Sequence, residues 1–330
     1  MKKALTYFET GSNDPCYNLA FEEYMLLNKT EGDILLLWQN DNAVIIGRHQ
    51  NAEEEIDRAF VEQNGIKVVR RTTGGGAVYH DMGNLNYSFI TDVGDAESLS
   101  IQAFTQPIIA ALAKMGVTAQ ATGRNDITIG EKKVSGNAQR MHRNRILHHG
   151  TLLFDSDSQK VAGALRADPA KFQSKSAKSV RSRIGNIKDF LAEDMQLCDF
   201  WQKLIEELTA GDMLRGSLDE SDLAAIEQLA DEKYRSWEWN FGSSPKYDRV
   251  NKQRFAGGTL EIKLSVAEGC ITDIAFFGDF MARKATDEVA DSLVGCRFER
   301  EEAEKVFEQF ETEDYFGGIT LDEIMQVMFY

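Results

Sequence analysis

The amino-acid sequence predicts an α/β (α+β) protein with a large domain over residues 1–245 and a small α+β domain over residues 246–330. Three observations point there. Through the first two-thirds of the chain, short apolar runs of strand length alternate with segments whose apolar residues recur at helical spacing. An aromatic and then turn-forming stretch, Trp237-Glu238-Trp239-Asn240-Phe241-Gly242-Ser243-Ser244-Pro245, then interrupts the pattern. Beyond it, two alternating runs are followed by helical segments, as a second and smaller core requires.

Composition sets limits on function. The chain has 330 residues, 42% hydrophobic and 27% charged, ordinary values for a globular protein with room for two cores. No run nears the ~18 apolar residues of a membrane span, so no membrane partner is expected. The opening Met1-Lys2-Lys3-Ala4-Leu5-Thr6-Tyr7-Phe8-Glu9 turns acidic too soon for a signal peptide. Cys16, Cys198, Cys270 and Cys296 lie far apart with no Cys-x-x-Cys pair. That reads as reduced thiols in a cytoplasmic protein without structural zinc. A net charge of −16 argues against nucleic acid as a partner. The charge is uneven, however. Residues 132–183 carry twelve Lys or Arg against three Asp, a local +9 that leaves −25 for the remainder. Such a stretch suggests an anionic ligand or an acidic docking partner, with a solvated basic surface as the alternative.

Taken in order, Asp14-Pro15 reads as a helix start, with Asp14 as cap and Pro15 in the first turn. Tyr17, Ala20, Phe21, Tyr24, Met25 and Leu27 come next at helical spacing. Ile34–Trp38 and Ala43–Ile46 are continuous apolar runs, expected to be buried strands separated by a turn at 39–42. Glu53–Asn64 reads as one helix closed by Gly65. Lys67–Ile90 organises the chain. There a β-rich run meets Arg70 and Arg71, then Gly74, Gly75 and Gly76, and a second β-rich run begins at Ala77, turns at 81–83 and returns through Leu85, Tyr87 and Phe89. Three glycines between strands weaken pairing, so they need a reason: positive φ, or close approach of backbone to a ligand. Successive bare N–H groups there form an anion-binding concavity, and two arginines supply forked donors. A glycine-rich corner with solvated arginines is the plainer alternative.

Ile101–Met115 is an amphipathic helix ending near Gly116. Gly130-Glu131 suits a two-residue hairpin turn, which sets Ile129 opposite Lys132, Thr128 opposite Lys133 and Ile127 opposite Val134. Alternation then puts Ile127, Ile129 and Val134 on the core face and Lys133 on the ligand-accessible face. Lys132 sits at the hairpin end, where its ammonium reaches water. Lys133 is therefore the better candidate for chemistry, against a pair of ordinary surface lysines. His148 and His149 lie on one strand and point to opposite faces, so they do not chelate one metal. Lys171–Asn186 is basic, serine-rich and weakly patterned, a candidate mobile loop across the ligand site. Phe200–Ala210 and Leu218–Tyr234 read as helices. Gly258–Ser265 and Cys270–Phe277 read as paired strands, and Asp287–Leu293, Glu301–Phe310 and Leu321–Met328 as helices.

Together these motifs resemble the lipoate–protein ligase family. The marks are Asp14-Pro15, Leu36-Leu37-Trp38-Gln39-Asn40, Val44-Ile45-Ile46-Gly47-Arg48 and Arg70-Arg71-x-x-Gly74-Gly75-Gly76-Ala77-Val78-Tyr79-His80-Asp81. Gly123-Arg124-Asn125-Asp126, Lys133-Val134-Ser135-Gly136, His148-His149-Gly150-Thr151-Leu152-Leu153, Ser179-Val180-Arg181-Ser182-Arg183 and the Trp237–Gly242 run continue in the same order. No single mark decides; their order and spacing over most of the chain do.

The resemblance implies a large domain similar to class II tRNA-synthetase and biotin–protein ligase cores. It implies two half-reactions. Lipoate and ATP, with Mg²⁺, give lipoyl-AMP and pyrophosphate. The lipoyl group then passes to a lysine of a lipoyl domain of a 2-oxoacid dehydrogenase acyltransferase subunit, or of glycine-cleavage H protein. By the resemblance Arg71 contacts nucleotide, Gly76, Ala77, Val78 and Tyr79 form the nucleotide-binding run, and Lys133 touches both lipoate carboxylate and α-phosphate. Gly74 and Gly75 admit the backbone to the ligand, with Arg70 as a second donor. Asn84, Asp126, Ser135 and His149 are supporting candidates, and 171–183 matches a loop that closes over the adenylate. Bringing a carboxylate and a triphosphate together calls for oriented cations and N–H donors, which this set supplies. Rival readings are a lipoyl or octanoyl amidotransferase working without ATP, and a non-catalytic sensor of lipoyl-AMP. A cysteine-dependent transferase is disfavoured by the lack of cysteine between Cys16 and Cys198. Biotin ligation is disfavoured by the missing Gly-Arg-Gly-x-x-x-Gly run.

Overall fold

The computed structural model describes residues 5–93, 100–122, 125–165, 183–241, 249–267 and 269–329. The large domain opens with β1 (Leu5–Glu9), α1 (Pro15–Asn28), β2 (Asp33–Trp38) and β3 (Ala43–Ile46). Two short helices, α2 (Ala52–Glu55) and α3 (Arg58–Gln63), precede β4 (Lys67–Arg70), β5 (Val78–His80) and β6 (Asn84–Asp92). Then come α4 (Ile101–Lys114), β7 (Gln120–Thr122), β8 (Asp126–Ile129), β9 (Lys132–His142), β10 (Arg145–Leu153) and α5 (Ser158–Ala164). The domain ends through α6 (Leu197–Thr209), β11 (Leu214–Arg215), α7 (Glu220–Leu229) and α8 (Trp237–Asn240). The small domain holds β12 (Arg249–Phe255), β13 (Gly258–Ala267) and β14 (Cys270–Gly278), then α9 (Asp287–Leu293), α10 (Arg300–Phe307), α11 (Thr312–Phe316) and α12 (Leu321–Phe329).

An eight-stranded mixed sheet, ordered β11-β1-β2-β6-β10-β9-β8-β7, carries the large domain. Strand alternation divides its core. Leu35, Leu37, Leu85 and Tyr87 pack against α4 and α6 through Ile108, Leu112, Phe200 and Leu204. On the opposite face, Ile34, Leu36 and Trp38 join Leu19, Phe21 and Met25 of α1 and Ala43, Ile45 and Val69 of a three-stranded sheet, β4-β3-β5. That second face holds the site. A third sheet, β12-β13-β14, packs on α9 to α12 around Phe276, Phe280, Phe307 and Phe316.

Several local expectations need correcting. Asp14 occupies the cap position of α1 with extended backbone, but its carboxylate makes no cap hydrogen bond. It pairs instead with Lys67 and Arg235, both at 2.8 Å. The helix expected over 53–64 is broken after Glu55, because Ile56 bridges Leu165 and Asp57 recaps α3 by accepting from Phe60 N. In the hairpin, Ile129 faces Lys132 and Thr128 faces Lys133 as expected, but a bulge sets Ile127 opposite Ser135 rather than Val134. Ile127 and Val134 are buried all the same. An extra residue in one strand re-aims the side chains beyond it, and hydrophobic pattern alone does not locate it. The basic loop at 171–183 falls largely outside the described residues, as do Gly123, Arg124 and the turn-forming residues 242–245.

Candidate functional site

One cavity of ≈ 100 Å³ lies between the two sheets of the large domain. Its floor is a face of the large sheet. Register sets Trp38 beside Asn86, Asn86 beside Thr151, Ser88 beside His149, and His149 beside Ala138. Gly136 N donates to Thr151 Oγ1 at 3.1 Å, and Gly136 in turn pairs with Asp126. One row thus crosses five strands from Trp38 to Asp126, a span of about 19 Å at the usual strand spacing. The roof is Leu19 of α1, Ile45 of β3, and Val78 and His80 of β5, with Arg71, Gly76 and Ala77 at the corner. Trp38, Leu19 and His80 are buried at the deep end, whereas the Lys133 side chain is 36% exposed at the mouth.

The glycine corner is a close-packed fold rather than an open loop. Gly75 has φ +90, and a Cβ on neighbouring Gly47 would lie 1.9 Å from the Gly75 carbonyl oxygen. Arg71 is buried beneath the corner. Its Nη2 donates to Gly74 O and Gly76 O at 2.7 and 2.8 Å, its Nη1 to Ile45 O at 3.0 Å, and its Nε to Thr73 Oγ1 at 3.0 Å. Burial holds the guanidinium down to about 10, so it stays charged. The Gly75 N–H goes to Phe280 O of the small domain at 3.1 Å, so the corner does not present three free amides.

Beneath Arg71 runs a continuous polar chain. Thr73 Oγ1 lies 2.8 Å from His149 Nε2, and His149 Nδ1 lies 2.9 Å from Glu22 Oε1. Ser88 Oγ donates to Glu22 Oε1 at 2.6 Å and accepts from Trp38 Nε1 at 2.9 Å. The Glu22 carboxylate accepts only, so Nδ1 carries the hydrogen on that side of the imidazole. Hence Glu22 on α1, His149 on β10 and Arg71 after β4 form one unit that ties the floor to the corner.

The residues singled out from sequence sort into three groups. Lys133, Arg71, Gly76, Ala77, Val78 and His149 line the cavity together, and Lys133 Nζ pairs with Asp126 Oδ1 at 2.7 Å. Tyr79, Asn84 and Ser135 are buried beside it: Tyr79 donates to Asn42 Oδ1, and Asn84 Nδ2 to Asn86 Oδ1. Arg70 is not at the cavity. Its Nε donates to Trp239 O, its Nη1 to the carbonyls of Gly47, Arg48 and Gln50, and its Nη2 to Asn240 O. The expectation of a second ligand donor is thereby corrected: the guanidinium gathers carbonyls of the 47–50 loop and of α8, and so holds α8 to β4. Gly75 also stays off the cavity wall, against Met281 Sδ. Sequence reasoning missed Glu22, Thr73, His80 and Asn86. A carboxylate on the apolar face of α1, beside Phe21 and Met25, was the readable sign of Glu22. Cys16 is buried, donates to Tyr234 O, and is pushed up by burial to about 11, so it is no nucleophile at neutral pH. Leu165 is bridged to Ile56, and Ile184 to Lys133.

Comparison with known proteins places the chain in a family. The lipoyl protein ligase A/B catalytic domain matches residues 14–209, and the bacterial lipoate protein ligase C-terminus matches residues 244–328. The chain is 42% identical over 323 residues to lipoate-protein ligase LplJ of Bacillus subtilis, covering 96% of this chain and 97% of that one. Among solved structures, P. falciparum LipL1 in complex with lipoate is similar in fold, with a TM-score of 0.80 at 24% identity over 98% of both chains. Lipoate-protein ligase A bound with ATP is similar at a TM-score of 0.64 and 29% identity, over 73% of this chain and 99% of that one.

Proposed function

The chain belongs to the lipoate–protein ligase family and is a ligase, and from that premise we propose that it joins lipoate to ATP as lipoyl-AMP and then to a carrier lysine. One observation carries the reading: the Lys133 ammonium and the Arg71-braced glycine run line the same cavity, which Leu19, Trp38, Ile45 and Val78 also line. A carboxylate tethered to an apolar tail fits that polarity, tail against Trp38, Leu19, Ile45 and Val78, and carboxylate toward Lys133. The solved relatives named for bound lipoate and bound ATP support both substrates.

In the first half-reaction a lipoate carboxylate oxygen attacks the α-phosphorus of ATP. The new P–O bond forms as the bond to the β-phosphate bridging oxygen breaks, and pyrophosphate leaves. Lys133 holds the two anions together and offsets the charge that gathers between them. Asp126 keeps the ammonium oriented along the floor. The amides of the Gly76–Tyr79 run face the nucleotide, braced from below by Arg71. Among the described residues no three His, Cys, Asp or Glu side chains form a metal cage. Mg²⁺ is expected with ATP: Asp126, the carboxylate beside Lys133, would hold it, and it would neutralise phosphate charge. In the second half-reaction a neutral lysine amine of a lipoyl domain or H protein attacks the acyl carbon. The C–O bond to AMP breaks, an amide forms, and the amine proton is released. We assign this chemistry to residues 1–245 and an accessory role to 246–330.

Lipoate-dependent exchange of labelled pyrophosphate into ATP tests the reading. Lys133→Ala should remove at least ~100-fold of the exchange, the scale of losing one oriented charge at a reacting centre. Exchange untouched by Lys133→Ala refutes the assignment, and carrier lipoylation from a lipoylated donor without ATP would install the amidotransferase in its place.

A further inference from the structure

We propose that His80, seconded by Asn86, recognises the sulfur end of the acyl substrate and so sets which tail the slot prefers. The inference rests on the lipoate reading above and adds to it the residues that select the tail.

The hydrogen-bond pattern fixes the state of His80. The carbonyls of Ser12 and Gln39 lie 3.0 and 2.7 Å from Asn18 Nδ2, so that atom is the donating nitrogen. Asn18 Nδ2 also donates to Asn40 Oδ1 at 3.0 Å, which leaves Asn40 Nδ2 facing His80 Nδ1 at 3.1 Å. An amide NH₂ only donates, so His80 Nδ1 accepts and the ring hydrogen sits on Nε2. Burial, helped by Arg71 and His149, keeps this imidazole neutral. His80 is 3% exposed, and its Nε2 has no partner among the described residues. Beside it, Asn86 Oδ1 accepts from Asn84 Nδ2 at 2.9 Å, and Asn86 Nδ2 has no partner among the described residues.

Both residues line the cavity at its deep end. Trp38 meets His80 edge-on at 6.4 Å between ring centroids and pairs in register with Asn86. A buried donor with nothing to donate to is costly, and such groups in a folded protein call for an explanation. Two of them in an otherwise apolar slot call for an acceptor on the ligand. Lys133 at the mouth claims the carboxylate, so the atom that reaches His80 belongs to the tail. The ligand class is thus a compact apolar tail carrying divalent sulfur, a polarisable weak acceptor. A saturated straight-chain acid such as octanoate suits the apolar walls and offers the two donors nothing. Selection then comes from an unmet donor rather than from the shape of the slot.

The test measures kcat/KM for lipoate and for octanoate in ATP–pyrophosphate exchange, in the wild type, His80→Phe and His80→Gln. His80→Phe should lower the lipoate-to-octanoate ratio about tenfold, the worth of one poorly met buried donor, with octanoate holding or gaining. His80→Gln restores an N–H and should recover most of the ratio. Thermal stabilisation by each acid alone, without ATP, should show the same order. A ratio unchanged in His80→Phe, or parallel losses with both acids, overturns the assignment and makes His80 a packing residue. Should His80→Phe fail to fold, Asn86→Leu carries the comparison by the same criteria. Wild-type protein that activates neither acid overturns the lipoate reading and this inference with it, whereas activation of both with an unmoved ratio overturns this inference alone.

Discussion

Thr73 shows what a single side chain does here. Its Oγ1 accepts from Arg71 Nε and lies against His149 Nε2, so one hydroxyl couples the corner to the imidazole and, through it, to Glu22. Thr73→Val keeps the shape and removes the link. The buried Nε–H of Arg71 and the ring nitrogen of His149 are then both unmet, at about 1–3 kcal/mol each. Arg71 still holds Gly74 O and Gly76 O, so the corner loosens rather than collapses. On the proposed reading, in which the corner meets nucleotide before chemistry begins, the expected result is a KM for ATP raised about tenfold with a smaller change in kcat. Steady-state exchange kinetics read this directly. An unchanged KM for ATP alongside a lowered melting temperature would make the chain of bonds purely structural. Arg70 and Arg71 make the complementary point. They are adjacent and chemically identical, yet one braces the cavity corner and the other serves five carbonyls outside it. Nothing local separates them, because the separating partners, Trp239 and Asn240, lie about 170 residues away in sequence.

At the scale of strands, β10 puts two histidines to opposite uses, as alternation requires. His149 faces the cavity, while His148 stacks on Phe104 with ring centroids 4.8 Å apart, inside the core. Burial, with a smaller push from His149, holds His148 well below the ordinary histidine value, and burial holds His49 and His80 down to about 3. The folded-state pKa lies below the unfolded one in each case. The neutral form therefore contributes stability above about pH 6.5, and that stability drains away as pH falls toward 3. Unfolding free energy should decline as pH drops from 7 to 5, by up to about 1.4 kcal/mol per pH unit for each such histidine. His148→Phe should remove one histidine's share of that slope; because His148 Nε2 lies 3.3 Å from Asn137 Oδ1 on the cavity wall, the comparison is made on stability alone. Denaturant titrations at pH 7, 6 and 5 decide it, and parallel slopes for the two proteins would count against burial of a neutral ring. Patterning made much of this architecture readable. Ile34–Trp38, Ala43–Ile46 and Ile101–Met115 carry apolar periodicity strong enough to override context, and all three form as expected. What stayed hidden was set from a distance. The break between α2 and α3 answers to Leu165, and the bulge in β9 to pairing with β8. β12, with mostly exposed residues, has no apolar alternation to announce it.

Over the whole molecule, the deciding contact is where the small domain meets the glycine corner. Phe280 O accepts from Gly75 N, Arg283 O from Met141 N, and His49 O from Gly278 N. The His49 ring stacks on Phe280 at 5.0 Å, and its Nδ1 lies 3.2 Å from Thr286 Oγ1. An ion pair joins Arg48 to Asp287 at 2.6 Å across the same seam. The ion pair is shorter but counts for less. Asp287 is 66% exposed, and exposed pairs contribute about 0–1 kcal/mol after screening. The buried ring excludes water, fills space between the domains and steadies the backbone bonds around it, so its loss costs roughly 3 kcal/mol. Asp287→Ala should therefore leave the melting profile nearly unchanged. His49→Ala should split off an earlier transition for residues 249–329. Because Phe280 O accepts from the Gly75 amide, a small domain loosened in this way also frees that amide. The opposite ranking, a salt-sensitive seam that Asp287→Ala opens and His49→Ala leaves closed, would mean that surface charge rather than the buried ring holds the two domains together.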